Sequence, residues 1–250
     1  MMRLIGLYDP ENRRVHVVSL TDKMEFIPTL GMINTSRFKN LSYGDTIEIF
    51  GLKFYIVKPS LYDIINMVQK RTQTVNFKDI GKIISLLGLK HDSDVVEIGV
   101  GSGHMTLSIL YYLNDGKLTS YDISENSIKY VEEIVNMLGL NKNWIPKVND
   151  IRNGIDERDI DSIFIDIPEP WTSIKNIYDS LKAGGILVAY IPNLTQVKEM
   201  KLNMEKAGFV DIQITETIER KWFIGDVEMR PEFTGLLHTS FIVHGRRLHK

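Results

Sequence analysis

Val95-Val-Glu-Ile-Gly-Val-Gly-Ser-Gly-His104 decides the architecture of this chain. Val95 to Ile98, interrupted only by Glu97, is the apolar run of a buried parallel strand, and glycines at 99, 101 and 103 allow a tight turn that brings bare backbone close to a ligand. Thr106, Leu107, Ile109, Leu110 and Leu113 then set apolar side chains on one helical face until Asn114-Asp115-Gly116 stops the run. Strand, glycine turn and helix form the nucleotide-binding corner of a doubly wound α/β sheet, where helix amides point at the ligand.

The dinucleotide fingerprint Gly-x-Gly-x-x-Gly would place its third glycine where His104 stands, so a pyrophosphate binder is disfavoured. Glu97, just before the turn, can balance positive charge on a ligand, while amides from Gly101 through Ser102 and Gly103 to His104 can receive a carboxylate. The competing reading is a glycine-rich loop in an unrelated α/β domain. Downstream, Lys117 to Tyr121 reads as the next strand and ends in Asp122, nineteen residues beyond Gly103. Asp122 can accept the two ribose hydroxyls of an adenosine or cap the following helix. Ser124 already fills the capping position ahead of the stripe Ile128, Val131, Ile134, Val135 and Leu138, closed by Gly139, and Ser127 is a second ribose-edge candidate.

From this corner the chain continues as helix, strand Trp144 to Val148, Asn149-Asp150, strand Ser162 to Ile165, helix, and strand Ile186 to Ile191. Strands separated by helix-length segments imply a parallel sheet with right-handed crossovers. Asp150 can accept an adenine amine or simply turn the chain ahead of Ile151. Asp166-Ile-Pro-Glu-Pro-Trp171 holds two prolines within three residues, which forces a stiff, open loop at a strand's carboxyl end, the edge where open α/β sheets bind ligands. We read Asp166 as functional and Trp171 as a packing anchor. Two more strands are expected near Val210 to Ile214 and Ser240 to Val243, and the long segment between them carries Trp222, Phe223, Arg230-Pro-Glu and His238-Thr, too specific for a plain connector.

Towards the amino terminus, short β-like runs at 15–20, 45–50 and 53–57 indicate a small β-rich domain over residues 1–65, with the main domain over 66–250. Leu61 to Lys70 reads as a helical link. The polar stretch from Arg71 to Asp79 precedes an amphipathic helix with Ile80, Ile83, Ile84 and Leu87 on its apolar face, and sits where it can cover a cofactor. The 250 residues are 43% hydrophobic and 25% charged, ordinary for a globular protein, and contain no cysteine, which excludes disulfides, thiolate metal sites and cysteine nucleophiles. No signal-length or membrane-length apolar run is present, so a cytoplasmic protein without a membrane anchor is expected. Net charge of -2 gives no general attraction to nucleic acid; Arg13, Arg14, Lys70, Arg71, Arg246 and Arg247 are dispersed candidates for phosphate contact.

Glu-x-Gly-x-Gly-x-Gly is similar to the turn of S-adenosylmethionine-dependent methyltransferases, and four segments together resemble the tRNA (adenine-N1)-methyltransferases of archaea and bacteria. These are Thr72-Gln73 with Lys78-Asp79, Glu97 to Gly103, Asp166 to Trp171, and Arg230-Pro-Glu with His238-Thr239; Tyr190-Ile-Pro-Asn-Leu-Thr-Gln196 is similar to a further family segment. The resemblance implies a Rossmann-like class I methyltransferase domain behind a small β-rich domain, S-adenosylmethionine as cofactor, no metal, a homotetramer, and methyl transfer to N1 of an adenine in the tRNA T-loop, at position 58 and in some archaeal members 57. Carried across, it implies cofactor contacts at Gln73, Glu97, Gly99, Gly101, Gly103, Asp122 and Asp150, catalysis by Asp166, and a base pocket with Tyr190, Arg230 and His238. Two departures stand out: Asn76-Phe77 replace an aromatic residue and proline, and Ser240 replaces a glycine. The rival readings are a protein methyltransferase of the isoaspartyl-repair type, which leaves the proline loop and the ending without a purpose, and a non-catalytic RNA-binding subunit, which leaves the intact turn and Asp166 unexplained.

Overall fold

The structure, a computed structural model, describes residues 4–21, 23–27, 29–225, 227–233 and 238–248. Strands β1 (Leu4–Asp9), β2 (Arg14–Ser19), β3 (Met24–Ile27), β4 (Gly31–Asn34), β5 (Thr46–Ile49) and β6 (Leu52–Val57) come first. An antiparallel sheet of order β2-β1-β6-β5 buries Ile5, Leu7, Val18, Phe54 and Ile56 together with Phe38, while β3 and β4 pair as a separate hairpin. β1 lies between two partners, which is why Leu4-Ile-Gly-Leu shows no alternation for a sequence reading to catch.

Helix α1 (Leu61–Met67) opens on a reciprocal cap in which Ser60 and Asp63 satisfy each other's amides. It ends short of the expected Lys70, because the Tyr130 hydroxyl binds the Gln69 amide at 3.1 Å and draws the chain away. Its buried Ile64 and Ile65 pack into the core of the larger sheet.

Helix α2 (Phe77–Leu87) leads into β7 (Asp94–Ile98), α3 (His104–Tyr112), β8 (Lys117–Asp122), α4 (Glu125–Leu138), β9 (Trp144–Val148), β10 (Ile160–Ile165), α5 (Ile174–Ser180), β11 (Leu181–Ile191), α6 (Leu194–Ala207), β12 (Val210–Thr215), β13 (Trp222–Ile224), β14 (Met229–Pro231) and β15 (Phe241–Arg246). The large sheet has the order β12-β15-β11-β10-β7-β8-β9. β7 through β11 are parallel, joined by helical crossovers except between β9 and β10, where a short 3-10 turn makes the connection, whereas β15 runs antiparallel to both β11 and β12. The expectation of a parallel sheet therefore holds up to β11. The chain between β12 and β15 forms the β13–β14 hairpin instead of a crossover helix, and a return without a crossover reverses the strand. Alternate residues of the central strands feed opposite cores: Val95, Phe164 and Val188 pack with α2, α3 and α4, and Val96, Ile163 and Leu187 pack with α5 and α6.

Glu97 breaks this apolar pattern and pins four elements. Its carboxyl group is fully buried and meets the Thr106 hydroxyl of α3 at 2.8 and 3.0 Å and Ser120 Oγ of β8 at 2.6 Å; the Trp144 indole of β9 donates to that same Oγ at 2.9 Å. Burial pushes the carboxyl up to about 8, against the opposing pull of the two hydroxyls. The native chain therefore keeps this proton where the unfolded chain has lost it, and stability falls as pH rises from the ordinary carboxyl range through about 8. We expect Glu97→Gln to gain on the wild type by on the order of 4 kcal/mol between about pH 5 and about pH 9 in denaturant unfolding. Identical pH slopes for the two proteins would refute this assignment.

Candidate active site

A cavity of about 750 Å³ opens at the carboxyl ends of β7, β8, β10 and β11, within the range of small-molecule sites. Thr72 to Val75 cover one side, and the glycine turn, the ends of the parallel strands and Pro192 complete the wall. The cover is tied down at two points. Arg71 and Thr72 donate their amides to Ser102 Oγ at 2.9 and 3.1 Å, and the Arg71 guanidinium lies 3.7 Å from the centre of the Tyr130 ring.

Gly99 is held from two directions: its amide donates to the Tyr121 carbonyl at 2.8 Å, and a Cβ at this position would overlap the Asp166 carbonyl oxygen. Its φ of 95° is in the left-handed region that favours glycine. Asp122 stabilises the turn, its Oδ2 accepting the amides of Val100 and Gly101 at 2.9 and 3.1 Å and its Oδ1 that of Ser124 at 2.8 Å. Ser124 caps α4, which leaves Asp122 on the cavity wall with lone pairs to spare. α3 begins at His104 without a side-chain cap, so its first amides face the cavity end uncompensated. The His104 ring also lines the cavity; burial lowers its pKa to about 4, and its buried Nδ1 has no partner among the described residues.

The acidic candidates differ in surroundings. Asp150 lines the cavity, but its carboxylate accepts from its neighbour Arg152, at 2.9 and 3.0 Å to Nε, and caps a short 3-10 turn; that guanidinium lowers it to about 2. Asp166 has no partner for its carboxyl group among the described residues, and burial alone raises it to about 7. Its amide continues the β7–β10 ladder by donating to Ile98 at 2.9 Å. The loop that follows carries Glu169 at φ 52°, a left-handed non-glycine residue on the cavity wall.

Of the residues singled out from sequence, Gln73, Gly99, Gly101, Ser102, His104, Asp122, Asp150, Asp166 and Tyr190 line this one cavity. Five do not. Glu97 points into the sheet–helix core, because the side of β7 that it occupies is covered by α3; it cannot face a ligand's charge as expected. Gly103 instead lets α3 approach α4, since a Cβ there would meet Val131 Cγ2 at 2.8 Å. Ser127 sits on the first turn of α4 and donates its amide to Ser124. Arg230 lies on the β13–β14 hairpin, its guanidinium 4.9 and 4.6 Å from the Phe223 and Phe233 ring centres. His238 stands behind the wall, 3.3 Å from the Pro192 carbonyl and 2.5 Å from Glu216, whose carboxylate raises its pKa.

Asn76 caps α2 by accepting the Lys78 amide, and Phe77 packs edge-on against Tyr62 at 4.7 Å, so the departure at 76–77 serves helix initiation and the contact of α2 with α1. Thr72 and Gln196, which lie in the family-like segments, and Arg152, which nothing in its local sequence distinguished, also reach the cavity. Among the described residues, no group of three His, Cys, Asp or Glu could hold a metal ion.

A family model described as the tRNA methyltransferase complex GCD14 subunit matches residues 54–236. The chain is 32% identical over 223 residues to the tRNA (adenine(57)-N(1)/adenine(58)-N(1))-methyltransferase TrmI of Methanocaldococcus jannaschii, covering 78% of this chain and 79% of that relative. It is 28% identical to the tRNA (adenine(58)-N(1))-methyltransferase TrmI of Thermus thermophilus, with 79% and 78% covered. A Thermotoga maritima crystal structure described as a SAM-dependent O-methyltransferase superposes with a TM-score of 0.85 at 30% identity, covering 99% of this chain and 93% of the other. The Aquifex aeolicus tRNA (m1A58) methyltransferase TrmI shares the fold at a TM-score of 0.80 and 22% identity, with 99% and 98% covered.

Gly99→Ala should destabilise the fold by at least about 2 kcal/mol in denaturant unfolding, through the left-handed φ and the overlap with the Asp166 carbonyl. The same substitution should weaken S-adenosylmethionine binding at least about tenfold, an affinity loss of about 1.4 kcal/mol by calorimetric titration. Wild-type stability and affinity in this variant would show that the strand ends do not converge there.

Proposed function

The chain belongs to the tRNA methyltransferase complex GCD14 subunit family, and from that premise we propose that it transfers a methyl group from S-adenosylmethionine to N1 of an adenine in the tRNA T-loop, with position 58 as the principal target and 57 as a second. The observation that carries this reading is the Asp166 carboxyl group, half-buried, without a partner among the described residues and raised by desolvation to about 7, on the wall of a cavity closed by the glycine turn.

The residues present fit the cofactor. The uncapped start of α3 and the orphaned Nδ1 of His104 suit its polar methionyl end, with Gln73 and Ser102 beside them; Asp122 suits ribose hydroxyls and Asp150 an adenine amine. A Cβ at Gly101 would reach within 3.0 Å of Thr72 Oγ1, so bare backbone there keeps the space under the cover. When bound, S-adenosylmethionine supplies an electrophilic methyl group.

Adenine N1 lies on the Watson–Crick edge, so the base must leave its stack to reach Asp166. The ring nitrogen already holds a lone pair, and no strong base is required. Asp166 instead accepts a hydrogen bond from the exocyclic amine, which orients that lone pair and balances the positive charge that grows on the ring. The desolvation that raises this carboxyl also strengthens its field at the base. Tyr190 offers its ring as a wall of the same cavity. His238 and Arg230, which stand outside the cavity, are proposed to meet the RNA around the base rather than the base itself.

In the same reading the protein works in the cytoplasm, where its substrate is found, as a homotetramer. Support for association comes from the β13–β14 hairpin, where Trp222, Phe223, Ile224 and Met229 are exposed together with Phe233. No helix among the described residues is long and apolar enough to cross a membrane.

Incubating an unmodified tRNA transcript with the protein and labelled cofactor, then mapping the modified nucleotide, should place a methyl group on N1 of a T-loop adenine; label on another base, or none, would overturn the proposal. Asp166→Ala should lower kcat by about a hundredfold while cofactor affinity changes less than about tenfold. Because burial raises Asp166 to about 7, kcat/KM should fall as pH drops below about 7 and level off above it, and Asp166→Asn should abolish that inflection. An inflection that persists in Asp166→Asn would assign the ionisation to another group.

A further inference from the structure

A buried quartet that the mechanism above does not use joins three distant parts of the chain behind the cavity. Lys78 and Asp79, in the first turn of α2, are 4% and 0% exposed at their side chains. The Lys78 ammonium donates to Asp79 Oδ1 at 2.9 Å, to Thr239 Oγ1 at 2.7 Å and to the Thr217 carbonyl at 2.6 Å, which uses all three of its hydrogens. Asp79 Oδ2 accepts from Thr239 at 2.6 Å and from the Tyr190 hydroxyl at 2.8 Å.

Such an arrangement is a poor device for stability alone, since a well-packed apolar group of the same volume ordinarily does as well as a buried ion pair. What it fixes is the placement of its members, and one of them faces the site: the ring of Tyr190 lines the cavity. The register of β10 on β11 pairs Ile165 with Ala189, so Asp166 and Tyr190 leave adjacent parallel strands at equivalent positions. On the other side Tyr190 pairs with Ile242 of β15, two residues beyond the cavity-lining Ser240. Burial and the Asp79 carboxylate keep the phenol protonated, pushed up to about 12, so it remains a donor to Asp79 across the working pH range.

We infer that Lys78 and Asp79 are positioning residues for the methyl acceptor: through the Tyr190 hydroxyl they hold its ring as a fixed wall that sets the acceptor base beside Asp166. This rests on the base-methylation reading given above. The Lys78–Asp79 pair touches neither the cofactor nor the base, and it acts only through the ring it holds.

Asp79→Asn by itself would strand the Lys78 charge in the core, so the test removes both charges together in Lys78→Met/Asp79→Asn and compares it with Tyr190→Phe, which keeps the ring and loses only its tether. Each should lower kcat for tRNA methylation by about tenfold, the worth of one buried hydrogen bond, with calorimetric cofactor affinity within about twofold of wild type. Combining all three substitutions should be no slower than the slower parent, because both act through one tether. Losses that multiply in the combined variant, or cofactor affinity that falls in step with kcat, would overturn the inference.

Should the wild-type chain fail to methylate tRNA, the proposed function falls, and the tether is read without activity by fluorine NMR of protein labelled with 3-fluorotyrosine. The Tyr190 resonance, identified by its loss in Tyr190→Phe, should shift and change width in Lys78→Met/Asp79→Asn. An unchanged resonance would remove the positioning role.

Discussion

Two parallel strand ends meet at Gly99, and the geometry of the cavity depends on that meeting. The backbone of Asp166 comes so close to the Gly99 α-carbon that no side chain fits between them, while the Gly99 amide is already committed to β8. Because Asp166 follows directly on β10, its carboxyl group is delivered to the cavity by main-chain hydrogen bonding rather than by a mobile loop. The same glycine turn begins the path to the uncapped start of α3. The start of α3 and the Asp166 carboxyl group are thus placed by one local constraint, which is how a rigid scaffold supplies precision to a site.

Three carboxyl groups surround this turn, and their surroundings give each a different task. Asp122 accepts backbone amides and serves as a strut for the turn. Glu97 meets two hydroxyls inside the core, where burial outweighs them and keeps it protonated near neutrality. Among the described residues Asp166 has neither amides nor hydroxyls for its carboxyl group, and its raised pKa reflects desolvation alone. Identical chemistry divided by environment is the general route by which neighbouring carboxylates come to differ in protonation. Asp122 and Asp166 add a smaller repulsion to the shift at Glu97, so the buried network feels the charges at the turn.

The cover over the cavity follows the same economy. Tyr130 of α4 receives the backbone at Gln69 and the guanidinium of Arg71, and Ser102 of the glycine turn receives the next two amides. Residues that cover the cavity are therefore fastened to the glycine turn and to α4, and the polar stretch between α1 and α2 is held without secondary structure of its own.

Much of this was legible in the chain itself. The apolar run at 95–98, the alternate glycines and the spacing of helical stripes identify the sheet corner, because strand and helix periods are local properties. Two prolines around Glu169 mark the loop after β10 for the same reason, and Asp122 and Ser124 separate by their distance from the apolar stripe that follows. Glu97 and Gly103 show where local pattern stops: both belong to the motif, yet one faces the core and the other another helix, since the face of a strand or turn that meets a ligand depends on which helix covers it. The reversal of β15 and the placement of Arg230 and His238 outside the cavity also depend on how the segment between β12 and β15 returns. Lys78, Asp79, Tyr190 and Thr239 share a hydrogen-bond ring across separations of 111 and 160 residues, for which no periodicity in a single chain gives a sign. Local spacing determined the elements and the chemistry gathered at the turn; only the tertiary structure decided which polar side chains meet, because burial and contact are set by partners far away along the chain.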